Sequence, residues 1–222
     1  MITTPNFETA AAKAMRIIID NQISETPVNP MPIILAHPGV RVLPFTRMAD
    51  EAGIERSDLV PLFGSNQDAA TFHLDMDIPD VKYVVVFNLR LPSEIVWRGI
   101  ARELGHIVLG HDGTMRTPEV RYAEAMCFAH NLLTPRPIIH MIQEYGTPMT
   151  LSVLTQTMGC TEECVEDMQK IPGVHTPKEL NRKVRGLFER GISEYLRFHA
   201  ASPMVDHSPV IDLGTYMDGY EE

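Results

Sequence analysis

The segment Lys-Tyr-Val-Val-Val-Phe-Asn (82–88) is almost wholly apolar and rich in β-branched and aromatic residues. Such a run, bounded by turn signals, reads as a buried strand. It leads through Leu91-Pro92-Ser93 into a helical pattern carrying Ile95, Val96, Ile100, Leu104, Ile107 and Val108. Ser93 is the expected N-cap, Glu94 suits the positive helix start, and Gly110 is the expected stop. A buried strand followed directly by a helix with an apolar face needs a small sheet with that helix packed on it.

The flanking sequence supplies the rest of an α+β fold. A helix is expected over Phe7–Ile23, with Asn6 as its cap, and a proline-containing loop follows over 24–32. A short helical turn fits 31–36, and Val40–Phe45 reads as a first strand. Residues 47–66 are polar and irregular, with one helical turn near Arg47–Ala52, and have the character of an insertion. Ala69–Leu74 is a strand antiparallel to Lys82–Asn88, and Ile78-Pro79-Asp80 separates the two. Helices are expected over 118–133, 137–145, 150–158, 161–171 and 177–199. The expectation is therefore a mostly antiparallel sheet of about three strands on one central helix, followed by a helical C-terminal part. Residues 1–172 would form the main domain, 173–200 a C-terminal helix, and 201–222 an acidic, flexible, poorly packed tail.

Composition narrows the function. A chain of 222 residues with 44% hydrophobic and 22% charged residues is ordinary for a globular protein. Its net charge of −10 argues against a dedicated DNA- or RNA-binding protein, which needs a basic face. Cys127, Cys160 and Cys164 form no disulfide framework and read as reduced thiols of a cytoplasmic chain. No apolar run approaches the ~20 residues of a membrane span, so no membrane partner is expected. The charged helix 177–199 reads as a solvated face.

The central helix carries Arg102-Glu103-Leu104-Gly105-His106. In the pattern His-Glu-x-x-His, two histidines four apart share a helical face and grip Zn²⁺, while the Glu handles the proton. Here Arg102 replaces the first His. A guanidinium stays protonated and has no lone pair to give a metal. Gly105, without a Cβ, lets another segment approach the helix closely.

Two segments together carry a family resemblance. Arg102–His111 reads RELGHIVLGH, and Glu124–Pro135 reads EAMCFAHNLLTP. In order and separation they resemble the ImmA/IrrE metallopeptidases, whose patterns are HELGHxxLGH and EAxxFAxxLLxP. The resemblance covers about residues 5–170 and implies a zincin-like fold. It also implies that His106 and Glu124 are zinc ligands and that Glu103 is the general base. An intact site of this kind lowers the pKa of bound water from ~15.7 towards ~7. With Arg102 in place of a ligand, zinc binding is expected to be weakened or lost. We expect Arg102 to pair with Glu124 and to occupy the metal position. Cys127, three residues after Glu124, is a possible substitute ligand, and His111, beyond Gly110, a more remote one.

The resemblance also implies a cytoplasmic regulator from a phage or mobile element that acts on a helix-turn-helix repressor. Two readings stand side by side. One is a pseudoprotease that binds a protein or peptide partner without cutting it. The other is an active zinc-dependent, site-specific endopeptidase that uses Glu103. Direct nucleic-acid binding ranks below both. The tail residues Val210, Ile211 and Leu213 are candidates to lie in the substrate groove.

Overall fold

The computed structural model describes residues 2–53, 55, 68–74, 80–113, 115–201 and 208–220. Most of the insertion expected over 47–66, and most of the turn between the second and third strands, lie outside these residues. Among the described residues there are nine α-helices and one three-stranded sheet, an α+β architecture.

Helix α1 (Phe7–Asp20) starts where the Asn6 side chain accepts from Thr9 N at 2.9 Å. Its face of Ala10, Ala11, Ala14, Met15 and Ile18 is buried. The short helix α2 (Pro30–Leu35) precedes strand β1 (Val40–Pro44), and helix α3 (Phe45–Ala52) follows it. Strands β2 (Ala69–His73) and β3 (Tyr83–Phe87) complete the sheet.

The strand order is β1-β3-β2. Strands β2 and β3 are antiparallel as expected, with Ala69 opposite Phe87 and His73 opposite Tyr83. Strands β1 and β3 are parallel, with Val40 opposite Tyr83 and Pro44 opposite Phe87. The sheet is therefore mixed, not mostly antiparallel. Parallel pairing requires a long crossover, and the chain between β1 and β3 supplies one. Strand β3 is central, with Tyr83, Val85 and Val86 buried, and among the described residues β2 is an edge.

Helix α4 (Ser93–Leu109) crosses the sheet and contacts β2 and β3. Its N-cap is Pro92, not Ser93, and the Pro92 carbonyl accepts from Ile95 N and Val96 N. Proline cannot donate, so it fits the position before the first helical turn, and Ser93 becomes that turn's first residue. At the other end Gly110 adopts a left-handed φ of 66°. His111 N then donates to His106 O at 3.0 Å, so the chain folds back beneath the helix end.

Helix α5 (Pro118–Leu133) packs on α4 and α1. A Cβ on Gly105 would stand 3.0 Å from Phe128 Cδ1 and 3.1 Å from Ala125 O. The glycine sets how closely α4 and α5 approach. Helices α6 (Arg136–Glu144), α7 (Leu151–Met158), α8 (Glu162–Lys170) and α9 (Lys178–Ala201) follow.

One apolar core runs from α1 through α4 and α5 into α9, which contributes Val184, Phe188, Ile192 and Leu196. It therefore continues past residue 172. On the exposed side of α9, Lys183 pairs with Glu179 and Arg190 with Glu194, as suits a solvated face.

Residues 208–220 are packed, which corrects the expectation of a poorly packed tail. Leu213 and Tyr216 are buried, and Tyr216 Oη donates to Thr134 O at 3.0 Å. The physical reason is Arg136, which is fully buried. Its guanidinium donates to the carbonyls of Val174 and Asp218 and lies 4.9 Å from the centre of the Tyr216 ring. The tail thus adds a second carbonyl and an aromatic face to the one carbonyl that Val174 already offers this buried charge.

Candidate functional site

The central helix, the start of α5 and the edge strand β2 enclose a cleft of about 410 Å³. Glu103, His106, His111, Asp112, Arg121 and Tyr122 are among its lining residues. A second cavity of about 680 Å³ adjoins it, sharing Glu103, His106 and Tyr122 and adding Asp68, Arg98 and Arg102. Glu103 and His106 thus line both cavities and Arg102 the second, whereas Glu124 lies behind the wall of the first.

Arg102 does not reach Glu124, contrary to the expected ion pair. Its Nη2 donates to Asp68 Oδ1 at 2.9 Å, to Glu103 Oε1 at 2.8 Å and to Ala69 O at 2.8 Å. Its Nε also donates to Glu103 Oε1 at 3.0 Å. The reason is geometric: Asp68 enters β2 beside the helix, and Gly99 makes room for it. A Cβ on Gly99 would stand 2.6 Å from Asp68 Cγ. Burial works against the Arg102 charge, but Glu103 and Asp68 outweigh it and hold the group protonated above its ordinary value. Burial also raises the pKa of Glu103, against the pull of Arg102.

His111 occupies the place between His106 and Glu124. Its Nε2 lies 2.9 Å from Glu124 Oε2, and its Nδ1 lies 2.9 Å from His106 Nδ1. The Glu124 carboxylate accepts from His111 Nε2–H. A neutral His111 then accepts at Nδ1 from His106 Nδ1–H, which leaves the His106 Nε2 lone pair bare. Burial, reinforced by the neighbouring His111, Arg102 and Arg121, lowers the His106 pKa to about 3. Burial also lowers that of His111.

Glu124 is 2% exposed and is held on several sides. Besides His111, Arg116 Nε lies 3.0 Å from its Oε2, and Asn6 N donates to its Oε1 at 2.7 Å. Asn6 thus caps α1 with its side chain and ties α1 to α5 with its backbone.

Cys127, the expected substitute ligand, lines neither cavity. It is fully buried, its thiol donates to Phe7 O at 3.6 Å, and Asn131 Nδ2 lies 3.6 Å from its sulfur. Burial pushes the thiol pKa up to about 12. Val210, Ile211 and Leu213 lie outside the cleft, where Ile211 N donates to Met149 O.

The residues present do not fit a zinc ion. His111 joins His106 and Glu124 by direct hydrogen bonds, and Arg102, one helical turn before His106, has no lone pair to give a metal. Among the described residues, no group of three or more His, Cys, Asp or Glu side chains is placed to hold a metal.

Sequence reasoning brought Glu103, His106 and Glu124 to one site but missed Asp68, Arg116 and Arg121. Gly110 was the available signal for His111, because a left-handed helix end turns the next residue back. Asp68 sits at the end of an irregular stretch and gave no signal. No family model, curated protein or solved structure matches the chain at a significant level.

Proposed function

We propose that this chain is an ImmA/IrrE-like protein with a zincin-like fold that has kept its peptide cleft and lost hydrolysis. It acts as a pseudoprotease that binds a protein segment in the cytoplasm. The segment belongs to a helix-turn-helix repressor of a phage or mobile element. The reading draws on the two sequence patterns, on the α+β architecture, and on the cleft beside an edge strand, which suits addition of an extended peptide. No described helix is long and apolar enough to cross a membrane.

The observation that carries the loss of hydrolysis is the engagement of each family residue. Glu103 is held by Arg102, and His111 stands between His106 and Glu124. A general base must reach the proton it removes, and this one is neutralised by a buried guanidinium.

The second reading, a zinc-dependent endopeptidase with Glu103 as general base, has one observation in its favour. The chain keeps Glu103, His106 and Glu124 together, and the two carboxylates and the imidazole are residue types that zinc peptidases use. Metal analysis and repressor cleavage, measured on the wild-type chain and on Arg102→His, separate the two readings. The proposal expects no stoichiometric zinc and no cleavage from the wild type. One zinc per chain with cleavage by the wild type refutes it.

A further inference from the structure

We infer that Arg121 is the specificity residue of the cleft and that it takes the carboxylate of an Asp or Glu side chain in an extended peptide. The inference rests on the binding reading above and names the chemistry of the bound segment.

The argument is one of charge balance. Of the carboxylates lining the cleft, Glu103 is paired with Arg102. Asp112 is paired with Lys82 at 3.0 Å and accepts from Tyr83 Oη at 2.9 Å. Behind the wall, Glu124 is paired with His111 and Arg116. Arg102 itself is matched by Asp68 and Glu103.

Arg121 lines the same cleft, and among the described residues its guanidinium has neither an ion pair nor a hydrogen bond. Its Nε is buried from solvent and still lacks an acceptor. Glu119, two residues earlier, is exposed and feels the Arg121 charge, but no ion pair joins the two side chains. A buried donor without an acceptor is costly, and a carboxylate from a ligand would relieve that cost.

The surroundings specify what carries the carboxylate. Tyr122, Pro118 and Ile107 give the cleft an apolar flank beside Arg121. Thr71 brings strand β2 to its rim, and among the described strands β2 pairs only with β3, so an extended chain can lie alongside it. An internal segment lying along β2 would place one side chain at Arg121 and its neighbours against Tyr122. The net charge of −10 does not oppose this. Screening beyond about 8 Å at physiological salt leaves the local guanidinium in control.

The test uses two synthetic peptide arrays probed with the whole chain. One displays internal nine-residue segments with both ends blocked, and the other displays the same segments with free C-terminal carboxylates. Binding of the best blocked peptides is then measured in solution for the wild type, Arg121→Gln and Arg121→Lys. Equal thermal melts confirm that the variants are folded.

The expected result is a set of blocked peptides with Asp or Glu at one fixed position. Replacing that residue by Asn or Gln should weaken wild-type binding ~10-fold. Arg121→Gln should abolish this discrimination, and Arg121→Lys should retain part of it. Three outcomes overturn the inference: binding with no acidic preference, binding that needs the free C-terminal carboxylate, or no peptide bound at all. Peptide cleavage by the wild type would instead overturn the pseudoprotease reading, and it would be seen as product formation whatever the preference at Arg121.

Discussion

Arg102 and Asp68, thirty-four positions apart in sequence, are joined by hydrogen bonds from both Nη atoms of the guanidinium to the carboxylate, at 2.9 and 3.3 Å. This contact ties the central helix to the start of the edge strand. It also decides where the Arg102 charge goes: sideways, into the sheet, and not across to Glu124.

Removing the partner should therefore be costly. Asp68→Asn leaves Arg102 buried with only Glu103 as a counter-charge, and the expected loss is about 2–3 kcal/mol of stability. Urea unfolding measures it directly. A change below about 0.5 kcal/mol, the range of ordinary surface substitutions, would mean that the pair is not structural.

Gly99→Ala should disturb the same contact by a different route. The added methyl would lie 2.6 Å from Asp68 Cγ, so Asp68 must move. Alanine favours a helix over glycine by ~1 kcal/mol, yet overpacking costs about 1–3 kcal/mol. The net effect should be destabilising. A variant more stable than the wild type would contradict the close approach of strand and helix.

His106 gives the pH dependence its sign. Its folded pKa lies below the unfolded value of 6.5, at about 3. The unfolded chain therefore takes up a proton that the folded chain refuses. His106 should make the fold less stable as pH falls from 6.5 towards 3, by at most ~1.4 kcal/mol per pH unit. His111, also lowered, acts in the same direction. Denaturant midpoints of wild type and His106→Gln between pH 7 and pH 4 measure it, and the variant should show the shallower decline. Parallel curves would rule the assignment out.

The C-terminal segment should be part of the folding unit. Tyr216→Ala removes a fully buried ring and its contact with Arg136, at an expected cost of about 3–5 kcal/mol. Limited proteolysis should then cut near residue 208 faster than in the wild type. Unchanged proteolysis and stability would show that the segment does not hold Arg136.

Local patterns made much of this legible. The apolar run around Val84–Val86, the spacing of Ile100, Leu104 and Ile107, and the Asn6 cap each depend on neighbours within a few residues. Periodicity and capping report such neighbours directly. The parallel partner of β3 and the packing of Tyr216 onto Arg136 depend on residues far apart in the chain, which no short-range pattern reports.

The site divides in the same way. The sequence by itself determined that Glu103 and His106 share a helix, that Glu124 begins the next one, and that Arg102 cannot ligate a metal. Helical spacing and guanidinium chemistry suffice for that. Only the tertiary structure decided the pairings: Arg102 with Asp68, His111 between His106 and Glu124, and Arg121 with a buried Nε that has no hydrogen-bond acceptor among the described residues. The physical reason is that a buried charge takes whichever partner the packing brings within about 3 Å, and packing is a property of the whole fold.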